Sequence, residues 1–146
     1  MFTISAVAIG IIVLLLLPLA GQSFGQQFLN NNVLVSKPKF AWHNTSAEVT
    51  LSVAAEYRGP QPYIIITQII DQRGYVISID IEHGSIDSGG QFKNVTMSVY
   101  RPVTTSNYFI DIFVVDDLDN PILFGVFRYS IDQQFNMTDL NSKSVI

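Results

Sequence analysis

The sequence has no cysteine. Disulfides, thiolate metal sites, iron–sulfur clusters and cysteine nucleophiles are therefore excluded, although the compartment is not, because a domain of this size holds together without cross-links. Basic residues are few and scattered. Eight Lys and Arg against twelve Asp and Glu give a net charge of −4, and nowhere do they cluster as nucleic acid or anionic headgroups require. Charge of either sign is missing from Phe2 to Ala20, and no Lys or Arg precedes Lys37. Between Val33 and Ile131 there is no apolar stripe of period 3.6, so no amphipathic helix is expected there. The sequence also lacks a carboxylate pair, a base beside a nucleophile and a glycine-rich phosphate loop. This argues against an enzyme and implies no cofactor.

What is present first is an apolar leader. Residues 2–20 would span about 28 Å as a helix, close to the ~30 Å of a hydrocarbon layer. Two readings stand. One is a signal peptide, broken at Pro18 and cut after Ser23-Phe24-Gly25 so that the chain begins at Gln26. The other is a retained anchor, which makes 2–20 the chain's sole membrane contact. Lys37 and Lys39 would draw the following domain inward. The sequons at Asn44, Asn94 and Asn136 are usable only outside. We expect export, to the extracellular space or the outer face of the cell membrane, with glycosylation at these three asparagines. Residues 26–32 read as a linker.

A chain of 146 residues suits one domain,. Val33 to Trp42 is a strand interrupted at Lys37-Pro38, which places it at a sheet edge or splits it. Ala47 to Ala55 alternates apolar and polar. Tyr63 to Ile70 and Tyr75 to Glu82 form a hairpin around Asp71-Gln72-Arg73-Gly74. After a loop at 84–90, Phe92 to Tyr100 alternates again. Tyr108 to Val115 and Ile122 to Tyr129 flank a polar turn at 116–121, and 133–146 reads as a flexible tail. About seven strands over residues 33–132 predict an all-β, immunoglobulin-like (fibronectin-III-like) β-sandwich behind one N-terminal hydrophobic helix. Tyr108 stands where a tyrosine corner would sit.

Pro62-Tyr63-Ile64, the hairpin at 71–74, Gly84-Ser85-Ile86, Ser88-Gly89-Gly90, Tyr108-Phe109-Ile110 and Phe113-Val114-Val115-Asp116 with Leu118-Asp119-Asn120-Pro121 form an ordered series. In that series the chain resembles the small sandwich domains of exported proteins of ammonia-oxidising archaea. Where those domains usually carry a Trp, this chain has Val115. The resemblance implies a role in envelope structure and protein contact, and no catalytic residues.

Three local features invite chemistry. Asp87-Ser88-Gly89-Gly90 looks like a serine-protease nucleophile loop, but a triad needs a base, an orienting group and a second barrel that this chain has no room for. Asp116, Asp117 and Asp119 could offer oxygens to Ca²⁺, though such residues equally cap turns. His43 and His83 are candidate metal ligands without a thiolate to complete a blue-copper site.

The stronger signal is that three strands are apolar on both faces where alternation is expected. If they lie side by side, Ile64, Ile66, Phe109, Phe113, Val115, Phe124 and Val126 form an apolar outer patch that would bind another envelope protein or a second copy of the chain. Filament assembly by strand addition, with Gln22 to Val35 as donor, is the further alternative.

Overall fold

The computed structural model describes residues 33–56, 59–87, 89–102 and 106–141. The expected N-terminal helix, signal or anchor and linker lie outside the described residues. Among the described residues there are nine strands: β1 (Val33–Val35), β2 (Lys39–Trp42), β3 (Ser46–Ala55), β4 (Gln61–Asp71), β5 (Val76–Ile86), β6 (Lys93–Tyr100), β7 (Tyr108–Val115), β8 (Leu123–Ile131) and β9 (Met137–Asp139). The described residues contain no helix long and apolar enough to cross a membrane.

These strands form two sheets packed as a sandwich. In one, β3 pairs with β1 and β2 along one edge and with β6 along the other; the second runs β5-β4-β7-β8-β9. Every pairing is antiparallel. Period-two alternation sends Val49, Leu51, Val53, Val95, Met97 and Val99 inward to meet Ile65, Ile69, Ile110, Ile112 and Val114 of the facing sheet in one continuous core,. The opposite positions on β3 and β6 are wet. There Thr50 meets Thr96 at 2.9 Å, and Ser52 donates to Asn94 at 2.6 Å.

Pro38 splits the first strand into β1 and β2, because it cannot donate to the ladder. The hairpin between β4 and β5 is closed by Asp71, whose Oδ1 accepts the amides of Arg73 and Tyr75, with Gly74 at φ 89°. β5 continues through residues 84–86, which were expected to be loop. The ring of Tyr63 lies where a Cβ on Gly84 would be, so only glycine lets that strand run on.

The expected frayed tail is not found over its described part. Met137–Asp139 pairs with β8 as a fifth strand, and Phe135 (φ 62°) packs 5.1 Å from Trp42 and 3.8 Å beneath the Arg101 guanidinium. A turn around Asp132, which accepts from Gln134 and Asn136, brings the chain back. Tyr108, partly buried, packs against the core.

Candidate functional site

The three doubly apolar strands do lie side by side, as β4, β7 and β8. The face turned away from the core is therefore fixed by register. One row runs Ile81, Ile66, Phe113, Val126 and the next His83, Ile64, Val115, Leu123. A third runs Ile79, Gln68, Asp111, Arg128, and a fourth Ile70, Phe109, Ser130.

Two expectations are corrected here. Phe124 points into the main core, because a bulge between Val114 and Val115 shifts the phase of β8 and leaves Leu123 and Val126 facing outward,. The face is also not an open wall. Ile66, Phe113 and Val115 are 0% exposed and Ile64 8%, forming a second cluster flanked by Ile79, Leu118, Leu123 and Val126. Large exposed apolar side chains are found along β5 and the turn before it, where Tyr75 is 67% and Ile77 44% exposed and Val76 and Ile81 are also open, and singly at Leu34, Phe92, Tyr100 and Ile122.

A polar island sits within this face. Asp111, fully buried, accepts Arg128 Nε at 2.5 Å and Nη2 at 2.6 Å, and also Gln68 Nε2 at 3.2 Å. A bidentate guanidinium–carboxylate pair satisfies both oxygens in a fixed plane, the geometry that makes such a pair tolerable away from water. Phe109 lies 5.7 Å from the same guanidinium. Asn141 secures the far side of β8 by accepting from the Arg128 amide and donating to its carbonyl. Gln68 is fully buried, and among the described residues its Oε1 has no hydrogen-bond partner. Sequence reasoning missed this island, though one Asp in the run Phe109–Val115, one Gln in Tyr63–Ile70 and one Arg in Leu123–Ile131 were its visible signal.

The other candidates have simpler surroundings. Asp116 Oδ1 accepts the Ile122 amide at 2.6 Å and Asp117 Oδ1 the Asp119 amide at 3.0 Å, so both carboxylates serve the turn. Among the described residues no three His, Asp or Glu side chains come together as a metal site would require. His43 is exposed 3.8 Å from Glu48, and His83 is exposed on β5. Ser85 donates to Asp87, and Ser88 lies outside the described residues. The sequon asparagines Asn44, Asn94 and Asn136 are all exposed.

No protein-family model matches the chain, and no curated protein does. Solved structures do. A glycosyl hydrolase family 2 member from Bacteroides cellulosilyticus superposes with a TM-score of 0.50 at 12% identity, over 75% of this chain and 16% of that one. Bacteroides uniformis beta-glucuronidase (TM-score 0.46, 10% identity) is matched over 69% of this chain and 13% of its own. Thermotoga neapolitana beta-glucosidase 3B (TM-score 0.44, 9% identity) is matched over 76% and 17%. The chain thus spans about a sixth or less of those proteins, and the likeness to the first defines the class as an all-β sandwich domain. At such identity it speaks to fold alone.

Proposed function

We propose that the chain is a non-catalytic, exported or cell-surface module of immunoglobulin-like (fibronectin-III-like) topology that contacts another envelope protein, or a second copy of itself, through the exposed apolar rim of its five-stranded sheet along β5. The strand order, with β1, β2, β3 and β6 in one sheet and β5, β4, β7 and β8 in the other, matches that topology apart from the added β9,. One observation carries the contact role. The outer face of β3 and β6 is polar around Thr50, Thr96, Ser52 and Asn94, whereas that of the second sheet is apolar and continues to the cluster of exposed Tyr75, Val76, Ile77 and Ile81 at its rim,.

Light scattering of full-length protein in mild detergent, with and without Ile77→Lys and Ile81→Lys, tests self-contact, and native co-purification tests a foreign partner. Loss of the assembly on either substitution supports the reading; an unchanged assembly with an unchanged melting temperature rejects it.

Strand addition is a second reading with its own observation. β5 runs for 11 residues, and its outer edge is unpaired among the described residues,. Val33–Val35 is already taken by β3, which shortens the available donor to residues 22–32. Electron micrographs of concentrated protein without fibres would remove this reading. An ion-binding role for Asp116, Asp117 and Asp119 is removed by calorimetry without a calcium or copper heat.

A further inference from the structure

Among the described residues β5 is the long open edge. It ends the five-stranded sheet and runs for 11 residues, and no described strand pairs with its outer side. The other edges are short or tied. β1 and β2 have three and four residues on either side of Pro38, β9 has three, and β6 is fastened to β5 by Lys93 Nζ on the Ser85 carbonyl at 3.0 Å. From Val76 to Ile86 there is no proline, lysine or arginine to discourage a further strand,. The only carboxylates of β5, Asp80 and Glu82, stand opposite Thr67 and Ile65, on the side turned toward the first sheet, whereas Ile79 and Ile81 stand opposite Gln68 and Ile66 on the outer face. Ile77 is passed over by β4 at the bulge beside Ile69 and Ile70, and 44% of it is exposed.

We propose that β5 pairs with β5 of a second copy, antiparallel about a two-fold axis at Ile79, so that two five-stranded sheets join edge to edge. The inference rests on the self-contact reading above and gives it a geometry. A two-fold axis normal to the sheet sets each residue opposite one that points to the same face. Axes at Asp80, Ile81 or Glu82 bring carboxylates together, Asp80 on itself, Asp80 on Glu82 or Glu82 on itself, and like charges directly opposite repel. An axis at Ser78 keeps only residues 76–80 of the strand in the ladder, and one at His83 leaves Ile77 in water and puts Gly84 in the ladder,. The axis at Ile79 uses residues 76–82 throughout. It sets Ile79 against Ile79 of the second copy, Ile77 against Ile81, Ser78 against Asp80 and Val76 against Glu82. The open side chains of Ile77 and Ile81 then cover each other. Ser78 Oγ, which donates to Asp80 Oδ2 of its own chain at 3.2 Å, meets the Asp80 carboxylate of the second copy as a further acceptor. The two acidic residues thus select the register without blocking the edge.

A seam about 23 Å long and one strand deep buries less than the ~1,200 Å² of a stable interface. The pairing is therefore transient in dilute solution and is best read by trapping. A chain without cysteine makes the trap clean. In full-length protein in mild detergent, Ile79→Cys should form a disulfide-linked dimer about tenfold faster than Ile81→Cys. The two residues at position 79 lie about 5 Å apart across the axis, whereas those at position 81 are about 13 Å apart, beyond disulfide reach. An equimolar mixture of Ile77→Cys and Ile81→Cys should cross-link about tenfold faster than either alone.

A second variant tests the charge argument. Adding Ser78→Asp to Ile79→Cys should slow the cross-link about tenfold, because each new carboxylate faces Asp80 of the second copy. Residue 78 stands opposite Ile69 on the side away from the outer face, so contact through that face is indifferent to the change. If Ile79→Cys is no faster than Ile81→Cys, or if Ser78→Asp leaves the rate unchanged in folded protein, the pairing is overturned. An assembly that Ile77→Lys and Ile81→Lys dissolve while Ile79→Cys stays slow would remove this register and keep the rim contact.

Discussion

Replacing Arg128 by Met should unfold the domain more readily than any other single change in the polar island. It leaves the Asp111 carboxylate, with a side chain only 1% exposed, facing a thioether in place of its bidentate donor. Breaking a buried pair from one side costs about 3–5 kcal/mol. With an unfolding entropy of about 2.1 cal/mol/K per residue over the 103 described residues, 4 kcal/mol corresponds to a fall in Tm of about 18 °C,. Asp111→Leu should cost less, about 2 kcal/mol or 9 °C, because the Arg128 side chain is 22% exposed and its guanidinium can turn toward water,.

The pair Asp111→Leu with Arg128→Met should return to within about 1–2 kcal/mol of the natural protein, the remainder reflecting the Gln68 amide left without an acceptor. Far-ultraviolet circular dichroism melts, with urea titrations to check that the m-value is constant, supply the measurement. Additive losses in the double variant, or an Arg128→Met melt within about 3 °C of the natural protein, would refute the view that the island is a coupled, desolvated unit.

Gly84→Ala should cost about 1–3 kcal/mol, because the new methyl group overlaps the Tyr63 ring, and Tyr63→Leu in the same chain should recover part of it in a thermal melt,. Acid should destabilise through three turn carboxyls held below their ordinary 3.8: Asp71 mainly by the Tyr75 amide, Asp132 by the Asn136 side chain, and Asp139, against its burial, by the Asn141 amide and Lys37. Their contribution is complete above about pH 4 and is lost as pH falls through their lowered values; Asp132→Asn should flatten the urea midpoint across that window. Phe113→Asp should abolish cooperative unfolding, whereas Ile77→Lys should leave the melt unchanged, since the first side chain is sealed and the second is open,.

The two-sheet arrangement was legible because alternation in β3 and β6 and its absence in β4, β7 and β8 reflect which faces meet water. Placement of individual side chains failed where one extra residue intervened. The bulge at Val114/Val115 turned Phe124 inward, a slip that no hydrophobic pattern announces,. β9 was missed because three residues carry almost no periodic signal and their pairing depends on the Asp132 turn and on Phe135 in a conformation that a bulky residue seldom adopts,. The Gly84 extension of β5 depends on a ring 21 positions away in sequence, contact information that local propensity does not contain.

Phe135 plugs the end of the sandwich between Trp42 of the first sheet and Arg101, while β9 beyond it is a strand of three residues, fastened further by Leu140 and Asn141 to the backbone of Arg128. Traction on the carboxyl end would peel that short strand away rung by rung and then stop at the aromatic plug, since extracting it means parting the two layers. The molecule is thus built to yield a few residues of slack under load before its centre feels any strain.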